Sequence, residues 1–174
     1  MIILGIDPGI ATIGYGVIKE NKHKIEMIDY GCILTKSCDN FHVRLNDIFK
    51  DVRKLLKNFN PDIVVCEEIF FYKNAKTAIN VGHARGVIML ALIKSNVEII
   101  EYTPLHVKQV ITGYGRADKK EMQSKIKKIL KLKDIPKPDD AADALAIAIC
   151  HIHKRKWDSK PKKQQKVTSK KKLS

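Results

Sequence analysis

Apolar residues change their spacing repeatedly along this chain, and each change marks an element. Residues 2–7 form a near-continuous apolar run that ends on a lone carboxylate, Asp7, before Pro8-Gly9 breaks it. Residues 14–19 and 25–35 follow across short polar connections, which predicts three strands joined as antiparallel hairpins. The spacing then changes to steps of three and four. Phe41, Leu45, Ile48, Val52, Leu55, Leu56 and Phe59 share one face of an amphipathic helix that Pro61 closes. "DIVVCEE" at 62–68 predicts a fourth strand, and "VEIIEY" at 97–102 a fifth. Between them, 74–94 reads as a helix that is apolar towards its end. Its Gly82 and Gly86, four apart on one face, predict a close helix or backbone approach there.

Thr103-Pro104 is a helix-start signal. "TGYGRA" at 112–117 reads as a flexible loop. Asp118 with Glu121 forms a capping-box pattern that opens a basic helix to about residue 132. "DDAADALAIAICHIH" at 139–153 is a final helix. The predicted order is β-β-β-α-β-α-β-α-α-α. Hairpin-linked strands followed by βαβ units give an α/β fold, a five-stranded mixed sheet with helices on both faces.

Charge changes this picture next. The chain has 174 residues and a formal net charge of +14. Residues 154–174 hold ten Lys or Arg against one Asp, in a segment nearly free of aliphatics. We expect one domain over 1–156 and a basic, disordered tail over 157–174. Such a balance favours a polyanionic partner, usually nucleic acid or an anionic membrane surface. Cys32, Cys38, Cys66 and Cys150 form no C-x-x-C pair, so they read as small buried hydrophobes in a reducing compartment and not as zinc ligands. No secretory signal or spanning segment is visible, so a soluble, cytoplasmic protein with no membrane partner is expected.

Four acids are hard to place structurally. Asp7 and Glu67 end predicted strands, and ligands in open α/β sheets gather beyond strand carboxyl ends. Asp140 and Asp143 lie three apart on one face of the last helix. Each has an ordinary explanation: a turn, a strand-end charge, a helix cap. Asp143 is the least ordinary. It sits within "AADALAIA", with no Arg or Lys within a turn, and burying an unpaired charge is costly. A bound cation would compensate the set. All-oxygen donors suit Mg²⁺ or Mn²⁺, and a pair of such ions serves phosphodiester hydrolysis.

"ILGIDPG", "CEEIF", "NAKTAINVGHARGV", "HVKQVITGYGRADK" and "DDAADALAIAICHIH" together strongly resemble the RuvC family of bacterial Holliday-junction resolvases. The resemblance implies a ribonuclease-H-like fold and a crossover junction endodeoxyribonuclease. It implies a homodimer that makes paired symmetric nicks in four-way junction DNA with two Mg²⁺ per subunit, with Mn²⁺ as a substitute. By the same resemblance Asp7, Glu67, Asp140 and Asp143 are the catalytic metal ligands, Asp139 and Glu68 being neighbours of ligands. Lys119 is a catalytic and DNA-binding lysine, Lys108 another DNA-binding one, and Phe70 stacks on a junction base. Arg85 is expected to contact phosphate or the second subunit. A branch-migration motor of RuvA and RuvB is the implied partner complex. His83, His106, His151 and His153 lack metal-ligand spacing and read as structural or DNA-facing. Two other classes compete: an actin-like ATPase or sugar kinase, which needs a second lobe, and a non-enzymatic DNA-binding protein, which leaves Asp143 unexplained.

Overall fold

The computed structural model describes residues 1–22, 24–68 and 75–159, without the side chains of 75 and 76. Its element order matches the predicted one. The strands are β1 (Ile2–Asp7), β2 (Thr12–Asn21), β3 (Lys24–Leu34), β4 (Ile63–Glu67) and β5 (Glu98–Tyr102). The helices are α1 (Phe41–Phe59), α2 (Ala75–Ile93), α3 (Pro104–Thr112), α4 (Lys119–Leu130) and α5 (Asp139–Asp158). Helix α5 runs further than the aliphatic pattern shows, because Lys154 and Asp158 pair across one turn at 2.6 Å. The rest of the predicted tail lies outside the described residues.

The five strands make one mixed sheet in the order β3-β2-β1-β4-β5. β1, β2 and β3 pair antiparallel, and β4 and β5 add in parallel beside β1. Strand alternation sorts the core between the two faces. Leu4, Ile6, Val64 and Cys66 face α1 and α2, with Ile48, Val52, Ile88 and Leu92. Ile3 and Val65 face the other way, with Val107, Met122, Ile126 and the α5 residues Leu145 and Ile149.

Helix α5 is the centre of that second layer. From Ala141 to Ile152 every residue except Asp143 is buried. The approach is close because glycines floor the strands beneath it. A Cβ on Gly5 would lie 2.1 Å from the Ala144 carbonyl oxygen, and one on Gly14 2.0 Å from that of Asp140. Gly5 and Gly16 are opposite each other in the β1–β2 ladder, so the saddle spans both strands. The close approach predicted at Gly82 and Gly86 is not found: among the described residues nothing lies within 4 Å of a Cβ built at either. Glycine permits close contact but needs a facing partner, and α2 turns these two residues outwards.

The cysteine prediction holds for Cys66 and Cys150, which are buried; Cys32 is half-buried and Cys38 is exposed. All four are free thiols. Cys38 lies in the polar connection before α1, where no apolar layer reaches it. No described helix is long and apolar enough to cross a membrane.

Candidate active site

The register places the first two acids. Ile6 stands opposite Cys66 in the parallel β1–β4 pair, so Asp7 and Glu67 follow as the next residues of neighbouring strands. Ile6 and Cys66 face α1 and α2, so by alternation Asp7 and Glu67 point to the α5 side. The turn after Asp7 is pinned: Thr35 Oγ1 donates to the Ile10 carbonyl at 2.6 Å, and Arg44 Nη2 donates to the same oxygen at 3.1 Å.

The glycine saddle places the other two. Gly14 is opposite Asp7 in the β1–β2 ladder and lies under the Asp140 backbone. The start of α5 is therefore held over the end of β1. Asp140 acts electrostatically on Asp7, and Asp143, one turn on, acts on both Asp7 and Glu67. Asp139 and Asp140 also complement the positive end of the helix dipole.

Electrostatics reports this convergence. The Asp7 carboxyl is pushed from 3.8 up to about 8, first by burial and then by the charges of Glu67, Asp143 and Asp140. Burial and then Asp143 push Glu67 up to about 7, against the pull of Lys108. Asp143 is also raised, mainly by burial, with Lys119 opposing. Among the described residues, no three His, Cys, Asp or Glu side chains are drawn together at ion-ligating distance.

Two lysines adjoin them. A cavity of about 230 Å³ is lined by Glu67, Asp143, Lys108 and Lys119, with Val107 and Met122 as its apolar wall. Lys119 Nζ lies 3.8 Å from Asp143 and 3.1 Å from Asp139. The counter-charge missing from Asp143's own helix thus comes from α4. Lys119 opens that helix behind a capping box. Asp118 Oδ1 accepts from the Glu121 backbone N–H at 2.8 Å, and Glu121 Oε2 accepts from that of Asp118 at 3.0 Å. A larger groove, about 1010 Å³, runs between the β2–β3 hairpin and the ends of α4 and α5, but among the described residues Glu26 is the sole acid lining it, so the candidate site is the smaller cavity.

The remaining candidates are elsewhere. Arg85 on α2 pairs with Glu101 on β5 and acts on Cys66, hence from the face opposite the acids. Phe70 lies outside the described residues. His106 stacks on Tyr102 with ring centroids 5.1 Å apart, and Tyr102 Oη and His151 Nδ1 share a hydrogen bond of 3.0 Å. His83 meets the Phe41 ring edge-on.

With this geometry in view, comparison with known proteins is decisive. Residues 3–151 match the family model of crossover junction endodeoxyribonuclease RuvC. The chain belongs to the RuvC family. The RuvC of Ruminiclostridium cellulolyticum is 54% identical over 151 residues, covering 87% of this chain and 91% of that protein. The Thermus thermophilus RuvC structure superposes with a TM-score of 0.82 at 34% identity, covering 91% of this chain and 98% of that one. The same protein in complex with a Holliday junction substrate gives 0.81 at 33% identity, covering 90% and 96%. The fold is that of the ribonuclease-H-like resolvases, as expected. The RuvC family is one of metal-dependent nucleases.

Sequence reasoning missed two features. One is the glycine saddle, although Gly5, Gly14 and Gly16 occupy alternate strand positions, the signature of close backbone approach. The other is the anchoring of Lys119 by Asp139, which links two helices and leaves no local pattern.

Proposed function

We propose that the chain resolves four-way junction DNA by paired symmetric nicks, with Asp7, Glu67, Asp140 and Asp143 as ligands of two Mg²⁺ ions per subunit. One observation carries this reading. Carboxylates from β1, β4 and α5 converge where two parallel strands end, beside two lysines and against an apolar wall. The donor set fits the ions, being all oxygen and anionic. Asp7 and Glu67 hold protons far above the ordinary carboxylate range, so the site favours any positive charge offered to it. Repulsion keeps such acids apart, and a divalent cation removes the repulsion. Bound ions supply charge neutralisation at the attacked phosphate and a more acidic attacking water. Mn²⁺ presents the same hard character and substitutes.

The protein's own groups do the rest. Lys108 and Lys119 hold the phosphate at the cavity mouth. Val107 and Met122 exclude water from one side. By the family resemblance, Phe70, three residues after Glu67 in the sequence, is assigned to stack on a junction base.

A homodimer supplies a second site for the opposite strand. Helix α2 supports it. Ile79, Gly82, Gly86, Leu90 and Ile93 recur at steps of three and four, and Ile79, Leu90 and Ile93 are 61%, 48% and 63% exposed. A helix apolar on both sides needs a partner on each. The two glycines let a second α2 approach closely. We assign Arg85, on the same helix, to the subunit contact and through it to DNA binding. The Lys-rich tail adds salt-sensitive DNA affinity. RuvA and RuvB, as a branch-migration motor, are the partner complex, and the cytoplasm is the place of action. The test is a Mg²⁺-dependent nicking assay on four-way against linear duplex DNA. Selective paired nicking that Asp7→Asn abolishes, with junction binding retained, is expected. Equal cutting of both substrates, or cutting by the variant, refutes the reading.

A further inference from the structure

Asp139 is the acid for which the ligand set has no use. It stands at the start of α5 beside Asp140, yet both its oxygens are engaged. Oδ2 lies 3.1 Å from Lys119 Nζ, and Oδ1 accepts from Gln123 Nε2 at 2.8 Å. Lys119 and Gln123 are four apart, on one face of α4. Asp139 therefore joins the first turns of α4 and α5 through Lys119, one of the two lysines that border the acids.

We propose that Asp139 is a positioning residue which, with Gln123, holds the Lys119 ammonium at the rim of the acid cluster, ready for a DNA phosphate. This rests on the reading of the cluster as the cleavage site. Lys119 is half-exposed, so packing does not fix its long side chain. It also opens α4, where the helix dipole disfavours a cation. Both facts call for an anion outside its own helix. Asp143 is the other carboxylate in reach, at 3.8 Å, but a lysine bound there occupies oxygens that a divalent ion needs. Asp139, closer at 3.1 Å, keeps the ammonium near while leaving Asp143 free to ligate. Gln123 fixes the carboxylate by holding its second oxygen. The capping box, reinforced by the Tyr114 hydroxyl donating to Glu121, keeps the first turn of α4 rigid beneath. An exposed ion pair of this kind stabilises a fold very little. Its effect is to place a charge.

The experiment is junction-nicking kinetics on the full-length chain with Mg²⁺, comparing wild type with Asp139→Asn, Asp139→Glu, Gln123→Leu, Lys119→Ala and the Asp139→Asn/Lys119→Ala double variant. Asp139→Asn should lower kcat about tenfold, the usual cost of losing an outer support. KM for the junction and the half-saturating Mg²⁺ concentration should stay put. Asp139→Glu should recover most of the loss, and Gln123→Leu should show a smaller fall in kcat. The decisive arm is the double variant, which should be no slower than Lys119→Ala alone. An unchanged kcat for Asp139→Asn overturns the proposal. So does an equal loss in the Lys119→Ala background, or a raised Mg²⁺ requirement, which would make Asp139 a ligand. If Lys119→Ala cuts at the wild-type rate, the positioning role fails while the cleavage-site reading stands. If Asp7→Asn, run alongside, still cuts, that reading itself has failed.

Discussion

Replacing Asp7 by Asn should make the metal-free protein more stable while abolishing its cutting. The Asp7 carboxyl titrates near 8 in the fold against 3.8 for an ordinary aspartate, first because it is buried and then because Glu67, Asp143 and Asp140 face it. A carboxyl whose folded value lies above its unfolded value takes up a proton on folding. Its contribution is therefore fully favourable below about 3.8 and is lost as pH rises to about 8. Each pH unit across that window costs about 1.4 kcal/mol, or about 5 kcal/mol by pH 7.5. Glu67 and Asp143 share the repulsion and keep part of it when Asp7 is gone, so roughly half, about 2–3 kcal/mol, should be regained by Asn. For a domain of this size that is a rise in Tm of roughly 5–10 °C. The assay is thermal unfolding in EDTA at pH 5, 6, 7 and 8. Wild-type stability should fall steadily across the series, and the variant's advantage should be small at pH 5 and widen towards pH 8. Adding Mg²⁺ should raise the wild-type Tm by mass action and leave the variant nearly unmoved. A variant that melts at or below wild type at pH 7.5, or a wild type whose stability does not decline between pH 5 and 8, refutes the account of a strained acid cluster.

Gly14→Ala drives a methyl to 2.0 Å from the Asp140 carbonyl, a backbone atom that cannot yield without moving α5; a loss of about 2 kcal/mol or more is expected in denaturant melts, with nicking reduced even well below the new Tm. Leu90→Asp on the exposed α2 stripe should give folded monomers by sedimentation, with weaker paired nicking; a persistent dimer would place the subunit contact elsewhere. Removing residues 160–174 deletes seven lysines, so the slope of log K against log salt should become shallower by up to about 6 if all meet phosphates, and an unchanged slope would exclude the tail from DNA binding.

What the sequence reveals here follows from what physics makes local. Strand and helix order are legible because period two and period three-to-four are set by neighbours a few residues apart. Even the capping box at Asp118 and Glu121 is local, and both of its bonds are present. The four acids stand out by position at strand ends and a helix start, but their meeting is long-range. It depends on Gly14 being opposite Asp7 and beneath Asp140, three places far apart in the chain. Gly82 and Gly86 show the converse. They carry the pattern of close approach, yet the described residues offer them no partner, because spacing along one element does not say whether another element faces it. Lys119 and Asp139 are similarly non-local, because an ion pair between two helices leaves no periodicity to read.

The placement of the acids also explains why so unfavourable a cluster persists. Mutual repulsion would scatter four carboxylates on flexible loops. Here Asp143 rises from the one helix whose neighbouring residues are all buried, and α5 meets the sheet backbone to backbone over Gly5, Gly14 and Gly16. Asp7 and Glu67 end two strands in fixed register. The side chains can relax, but the elements carrying them cannot separate without opening the core that Ile3, Val65, Leu145 and Ile149 fill. At Asp7, Glu67 and Asp143, burial first and then, at Asp7 and Glu67, the neighbouring acids are thus expressed as raised proton affinity instead of as movement. If these acids ligate cations as proposed, a frame that cannot give leaves cation binding as the way to relieve their repulsion, and the packing of α5 should then support metal affinity. It follows that loosening α5, as Gly14→Ala does, should raise the Mg²⁺ concentration needed for half-maximal cutting. A variant that loses stability yet keeps the wild-type Mg²⁺ requirement would show that the frame and the metal site are independent.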